Sequence, residues 1–185
     1  MTKLLLSLHV LAAILAIGPI AVAASMFPRF ARPSGPDAEG PPERSGAIAG
    51  ILHRICRGYT VVGVAVPVFG IATGARLGVL TDAWLLTSIA LTAVAAALLL
   101  MSIIPGQARL LAAPGGPAAP VTGAPEGTGG AEGAGGAEGA ATGSGTAREL
   151  RSAATRLGMT TGIFNLLWAA VVVLMIVRPG STTGA

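Results

Sequence analysis

An uncharged stretch of 24 residues, from Leu4 to Phe27, separates Lys3 from Arg29 near the start of the chain. As a helix with a rise of 1.5 Å per residue it would be roughly 36 Å long, whereas the hydrocarbon core of a bilayer is about 30 Å thick. The stretch is longer than the ~7–15 apolar residues of a secretory leader, so we expect an uncleaved anchor. It predicts a membrane-spanning helix near residues 4–27.

The composition agrees with a membrane protein. Hydrophobic residues make up 52% of the chain and charged residues 11%, and the mean hydropathy is +0.74. The net charge of +4 comes from arginines that lie beside apolar stretches instead of forming one stripe. This distribution favours lipid headgroups over nucleic acid as the partner.

Three further apolar stretches predict spans near residues 50–74, 83–105 and 157–177. In the second span, Pro67 is expected to kink the helix because it lacks a backbone N–H and clashes with the preceding turn. The fold class that follows is all-α, a bundle of four transmembrane helices.

Glycine and proline predict two local features of these spans. Gly70 and Gly74 are four residues apart, a small-xxx-small pair that predicts close contact with another helix and offers a face for a homo-oligomer. Pro105 and Gly106 are expected to end the third helix near the membrane surface.

Residues 114–146 break the pattern, because this segment is almost entirely Gly, Ala, Pro, Thr, Ser and Glu. Such a composition buries too little apolar surface to offset the entropy lost on ordering. The segment is therefore predicted to be a disordered loop that acts as a tether.

The distribution of lysine and arginine predicts the orientation of the spans. The N-terminus, the connection at 76–82 and the C-terminus carry three cationic residues: Lys3, Arg76 and Arg178. The two large connections, residues 28–57 and 105–156, carry nine: Arg29, Arg32, Arg44, Arg54, Arg57, Arg109, Arg148, Arg151 and Arg156. By the positive-inside rule both large connections are cytoplasmic and both termini lie outside a bacterial plasma membrane.

His9 is the one ionisable side chain well inside a predicted span, and this makes it the first candidate for function. Its neighbours one and two turns further along the same face are small: Ala12, Ala13 and Ala16. A neutral imidazole beside small residues could ligate a haem, which needs that space. The alternative is a hydrogen bond between helices, to a hydroxyl or to Asn165.

His53 is the other histidine, and the predicted topology separates it from His9. It lies at the inner end of the second span, about 20 Å from the level of His9, whereas two axial nitrogens on one iron are about 4 Å apart. We therefore expect His53, Arg54 and Arg57 to form a headgroup-facing cluster.

Asn165 and Trp168 lie deep in the fourth span, one turn apart on the same side. An amide at that depth is costly unless it is paired, so both side chains are expected to face the bundle. No carboxylate lies within a span, and the metal and nucleotide motifs HExxH and GxxxxGK[ST] do not occur. We therefore predict no catalytic residue and no metal site. Cys56, the only cysteine, is expected to be a small packing residue.

Three segments carry a resemblance to known proteins: LHVLAAILAIGP (8–19), HRICRGYTVVGVAVPVFG (53–70) and NLLWAAVVVLMIVRPGS (165–181). They resemble the bacterial predicted integral membrane proteins of domain of unknown function 2269, which implies four transmembrane helices and no established activity. A more distant similarity is to four-helix membrane proteins of the HemJ and CopD types, which also open with a Leu-His pair, here Leu8-His9. The HemJ-type enzymes use a lysine deeper in the bundle, whereas the one lysine of this chain is Lys3.

Three classes of function remain open at this point. The first is a non-enzymatic accessory or structural membrane protein. The second is a haem- or quinone-associated redox protein that uses His9. The third is a small transporter, which the prolines inside two spans would suit but which four spans without an internal charge do not.

Overall fold

The structure is a computed structural model, and it describes residues 2–32, 42–114, 116–117 and 136–179. Every regular element in these residues is helical, which confirms the all-α prediction. The elements are α1 (Thr2–Phe30), α2 (Pro42–Gly63), α3 (Ala65–Leu77), α4 (Ala83–Leu98), a π-helical turn (Leu99–Ile103), α5 (Ile104–Ala112) and α6 (Gly136–Val177).

Four helical stretches are long and apolar enough to cross a membrane, as the sequence predicted. They are Lys3–Phe30, Glu43–Leu77, Ala83–Ala112 and Gly145–Val177. Most of the predicted loop at 114–146 lies outside the described residues, and its disorder stays a prediction. The structure differs from that prediction at the end of the segment, where α6 begins at Gly136.

The second stretch is interrupted at Val64, between α2 and α3. Pro67 explains the position, because the carbonyl that its missing N–H would have bonded belongs to Gly63, one turn earlier. The N–H of Val64 bonds instead to the Val61 carbonyl at 3.3 Å, a tighter turn. The effect of the proline is thus seen one turn before the proline itself.

The third stretch does not end at Pro105-Gly106, which corrects the sequence-based expectation. Before the proline, the chain widens into the π-helical turn, in which the N–H of Ile104 bonds to the Leu99 carbonyl. One extra residue in a turn can relieve the clash that a proline ring makes with the preceding turn, and α5 here continues to Ala112.

The first helix lies at the centre of the packing. It contacts α2, α3 and α6, while α4 and α5 pack on α6, and α5 also contacts α2. Phe27 and Phe164 are the largest fully buried side chains. Small residues such as Ala24 and Ala154 are also fully buried and allow the helices to approach closely.

The core is concentrated in the half of the bundle next to the two large connections. Its members come from the later part of the first helix, the start of the second stretch and the connection-facing ends of the third and fourth. They are Ile20, Ala23, Ala24, Phe27, Ala31, Ala49, Leu52, Cys56, Ala95, Leu99, Ile103, Leu110, Leu150, Ala154, Leu157 and Phe164. The half that holds His9 is packed with fewer large buried side chains.

Candidate functional site

His9 lies on α1 and makes its polar contact with the backbone of α3. Its Nδ1 is 2.9 Å from the carbonyl oxygen of Val66. A carbonyl only accepts hydrogen bonds, so Nδ1 carries the proton and donates it. In the tautomer with the proton on Nδ1, Nε2 carries a lone pair.

Gly70 makes room for this imidazole. A Cβ at position 70 would lie 2.9 Å from His9 Cε1 and 3.1 Å from Nδ1, closer than ordinary contacts allow. Within α3 the N–H of Gly70 faces the same Val66 carbonyl, whose two lone pairs can accept both donors. The histidine thus docks on the first turn after the break caused by Pro67.

The structure does not bring the two histidines together, in agreement with the predicted separation. His9 lies at the level of Val66, whereas His53 is thirteen residues earlier on the same helical stretch. Thirteen residues correspond to about 20 Å along a helix. One iron could not be shared by both imidazoles at that distance.

His53 is half-buried and contacts another helix of the bundle, while its predicted place among the headgroup-facing residues stays a prediction. Its Nδ1 is 3.1 Å from Oε1 of Gln107 on α5. The other end of that amide, Nε2, donates to Cys56 Sγ at 3.5 Å, and this sulfur lies 4.0 Å from the Ile20 carbonyl. The contacts join α2, α5 and α1.

These contacts have a simple origin in helix geometry. Cys56 is three residues after His53, so both side chains lie on one face, where the fully buried Gln107 meets them. Arg54 and Arg57 on the same helix are exposed. Their predicted contact with headgroups stays a prediction.

Asn165 finds a partner on the first helix. Its Nδ2 donates to Ser25 Oγ at 3.0 Å, and that hydroxyl in turn donates to the Ala21 carbonyl at 2.6 Å. Its Oδ1 atom is buried and without a partner among the described residues, as is Nε1 of Trp168. Trp168 packs edge-to-face on Phe164, with ring centroids 6.4 Å apart.

The opposite end of the bundle holds a second polar cluster. Trp84 donates from Nε1 to Asp82 Oδ2 at 3.1 Å, and the guanidinium of Arg178 lies over its ring, 5.6 Å from the centroid. The contacts join the 76–82 connection to the end of α6. Gly78, with φ of +72°, closes α3 there in a conformation that glycine adopts most readily.

The paired glycines are in close contact with other helices of the same chain. Gly70 lies against His9, and a Cβ on Gly74 would be 2.9 Å from Leu85 Cδ2 and 3.2 Å from Leu80 Cδ2. Because α1 and the start of α4 already occupy this face, a homo-oligomer would have to use another surface.

The hydroxyl groups of the third stretch follow the expected pattern. Thr87, Ser88 and Thr92 each donate to the carbonyl four residues earlier, at 2.7–2.9 Å. Among the described residues, no three His, Cys, Asp or Glu side chains are grouped so that they could hold a metal ion.

No known protein family, curated protein or solved structure matches the chain. The resemblance carried by residues 8–19, 53–70 and 165–181 therefore stays a prediction.

Sequence reasoning missed two participants, Gln107 and the carbonyl of Val66. Gln107 follows the Pro105-Gly106 pair that was expected to end the helix, so no contact with another helix was predicted for it. A neutral amide two residues after a proline in an apolar stretch would have been the signal. The carbonyl of Val66 could have been suspected from its position just before Pro67 on the same face as Gly70.

Proposed function

We propose that this chain is a multi-pass integral membrane protein of the bacterial plasma membrane, with both termini outside, that acts as a non-enzymatic accessory or structural component. The four apolar helices support the membrane location. They carry large apolar side chains on their outer surfaces, among them Leu4, Val61, Met101 and Ile176. A soluble protein rarely exposes so much contiguous apolar surface.

The observation that carries the structural role is that the polar side chains inside the spans bond to other helices or to their own backbone. His9, Gln107 and Asn165 each bond to another helix of the chain, and the hydroxyls bond to their own backbone. Polar groups in a bundle are costly in lipid unless they are paired, and here the pairing joins one helix to the next. Chemistry on a substrate would need at least some of these groups to be directed at an open site.

The clusters at the two ends support the predicted orientation. Asp82 and Arg178 both contact Trp84 at one end, and His53 and Cys56 both contact Gln107 at the other. The sparse cationic residues thus share the end assigned to the outside. Nine cationic residues lie toward the end assigned to the cytoplasm.

The test is labelling of single cysteines on intact cells. Thr182→Cys and Gly130→Cys are made in a Cys56→Ala background and treated with a membrane-impermeant maleimide. We expect Thr182→Cys to react on intact cells and Gly130→Cys to react only after lysis. The opposite result would overturn the orientation, and extraction of the protein by alkaline carbonate would overturn the membrane assignment.

A second function is favoured by the protonation of His9. With Nδ1–H donated to the Val66 carbonyl, Nε2 is left as an acceptor, which is the usual arrangement of a histidine that ligates a metal. The same atom could accept a hydrogen bond from a quinol hydroxyl. We propose as the alternative a haem- or quinone-associated redox protein in which His9 is the ligating or binding residue. Haem would supply reversible one-electron chemistry there.

This alternative is tested by the visible spectrum of the purified protein with and without added haem. A Soret band that is lost in His9→Ala but kept in His53→Ala would favour it. The absence of such a band in the wild-type protein would favour the structural role.

A further inference from the structure

A groove of about 410 Å³ lies between α5 and the first turns of the fourth apolar stretch, at the end of the bundle next to the large connections. Its charged lining residues are Arg109 from α5 and Arg156 and Glu149 from α6. Ser102 and Thr160 line the end that points toward the middle of the bundle.

The two arginines lie at nearly the same level, although they belong to antiparallel helices. Gly106 and Leu157 fix the register, because a Cβ on Gly106 would be 3.0 Å from Leu157 Cδ1. Arg109 is three residues beyond Gly106, about 4.5 Å along the helix, and Arg156 is one residue before Leu157, about 1.5 Å. Their backbones therefore differ by only about 3 Å along the axis.

The floor of the groove is apolar, and its cations are available. Leu110, Leu150 and Leu157 are buried beneath it. Arg109 and Arg156 are exposed, and within the described part of the chain no ion pair engages either guanidinium. Two cations thus stand above an apolar floor that continues into the predicted hydrocarbon region.

We propose that this groove binds an anionic glycerophospholipid of the cytoplasmic leaflet, of the phosphatidylglycerol class. The guanidinium groups of Arg109 and Arg156 hold its phosphate, since one planar guanidinium can donate two parallel hydrogen bonds to phosphate oxygens. The acyl chains run along the apolar surface toward Ser102. This inference rests on the membrane location proposed above.

A lipid accounts for the groove better than free phosphate does. Inorganic phosphate would use the arginines and leave the apolar floor uncovered, whereas a phospholipid matches both. Glu149 lies seven residues from Arg156, about 10 Å farther toward water, beyond the level of the phosphate. It repels an anionic headgroup weakly from there.

The experiment uses the full chain in bilayer nanodiscs that contain phosphatidylcholine and phosphatidylglycerol in equal amounts. Lipid retained after gentle detergent extraction is counted by native mass spectrometry. Two variants lose the same charge from the same side of the membrane: Arg109→Gln/Arg156→Gln in the groove and Arg148→Gln/Arg151→Gln, exposed on α6 but outside the groove lining. We expect the first to lower retained phosphatidylglycerol at least about tenfold and the second by no more than about twofold.

Two further variants sharpen the result. Arg109→Lys/Arg156→Lys keeps the charge and removes the paired donors, and we expect an intermediate loss of about threefold. Glu149→Gln is expected to raise retention by about twofold, because it removes the like charge at the mouth. The lysine pair also serves if the glutamine pair does not fold.

Several outcomes would overturn the inference. These are equal retention of the two lipids by the wild-type protein, equal loss in the two glutamine pairs, and displacement of the lipid by millimolar inorganic phosphate. A protein that enters the nanodisc but shows no lipid preference refutes this inference alone. A protein that does not enter the bilayer refutes the proposed function as well.

Discussion

Replacing Gly70 by alanine is the most direct test of the His9 contact. The new methyl group would be 2.9 Å from His9 Cε1, whereas carbon atoms in contact are about 3.5–4.0 Å apart. The imidazole must therefore retreat by roughly 0.6–1 Å. Such a shift would lengthen the 2.9 Å bond from Nδ1 to the Val66 carbonyl beyond hydrogen-bonding distance.

The expected cost follows from these two effects. A hydrogen bond between helices in a membrane contributes about 0.6 kcal/mol on average, and displacement of a packed ring adds a cost of the order of 1 kcal/mol. Against this, alanine is a better helix former than glycine by roughly 0.5–1 kcal/mol. We expect Gly70→Ala to destabilise the wild-type protein by about 1 kcal/mol and to be neutral or stabilising in a His9→Ala background.

The assay is reversible unfolding in mixed micelles of increasing dodecyl sulfate content, followed by the fluorescence of Trp84 and Trp168. Gly63→Ala is the matched control, because a Cβ at position 63 has no heavy atom within 4 Å. If Gly70→Ala costs the same with and without His9, or if Gly63→Ala costs as much, the contact does not stabilise the bundle and the reasoning fails.

Three further predictions use the same titration or a simple labelling experiment. Gln107→Ala should cost about 2–3 kcal/mol, because it opens space at a fully buried position and leaves the half-buried His53 N–H without its partner. Gln107→Met fills the space and should cost less; if both substitutions leave the free energy of unfolding unchanged, the Gln107 contacts do not stabilise the bundle. Phe164→Ala, at a fully buried position, should lower the free energy of unfolding by about 3 kcal/mol. Leu166→Ala, at an exposed position, should lower it by less than about 0.5 kcal/mol, and comparable values for the two variants would contradict the packing described here. Cys56, which is fully buried, should resist a membrane-permeant maleimide in the folded protein and react once it is unfolded; rapid labelling of the folded protein would contradict its burial.

The number and approximate place of the apolar helices could be predicted because charge is expensive in hydrocarbon. Gaps between arginine, lysine and aspartate are therefore a strong signal, and the four helical stretches fall on them. The separation of His9 and His53 followed from the same signal, because it depends only on helix rise. These features need no knowledge of which helix faces which.

The contacts between helices were harder to predict, since neutral polar side chains leave no comparable mark. Neither Gln107 nor Cys56 belongs to a recognisable sequence pattern, and the contact between them depends on α5 continuing past Pro105. That continuation depends on one π-helical turn, whose hydrogen bonds differ from those of an α-helix by a single residue. A hydropathy profile does not distinguish a π-helical turn from an α-helical one.

The two prolines have opposite consequences for the bundle, and this difference shapes the candidate site. Before Pro105 the helix contains a π-helical turn and then continues, so Gln107 lies in the half of the bundle with the larger buried core. At Pro67 the helix breaks at Val64, and the Val66 carbonyl in the new first turn receives a donor from another helix. The histidine therefore holds the bundle where apolar packing is sparse. A ligand that drew His9 away would loosen α3 from α1 while leaving the core around Phe27 intact, so its effect should be confined to the half of the bundle that holds His9.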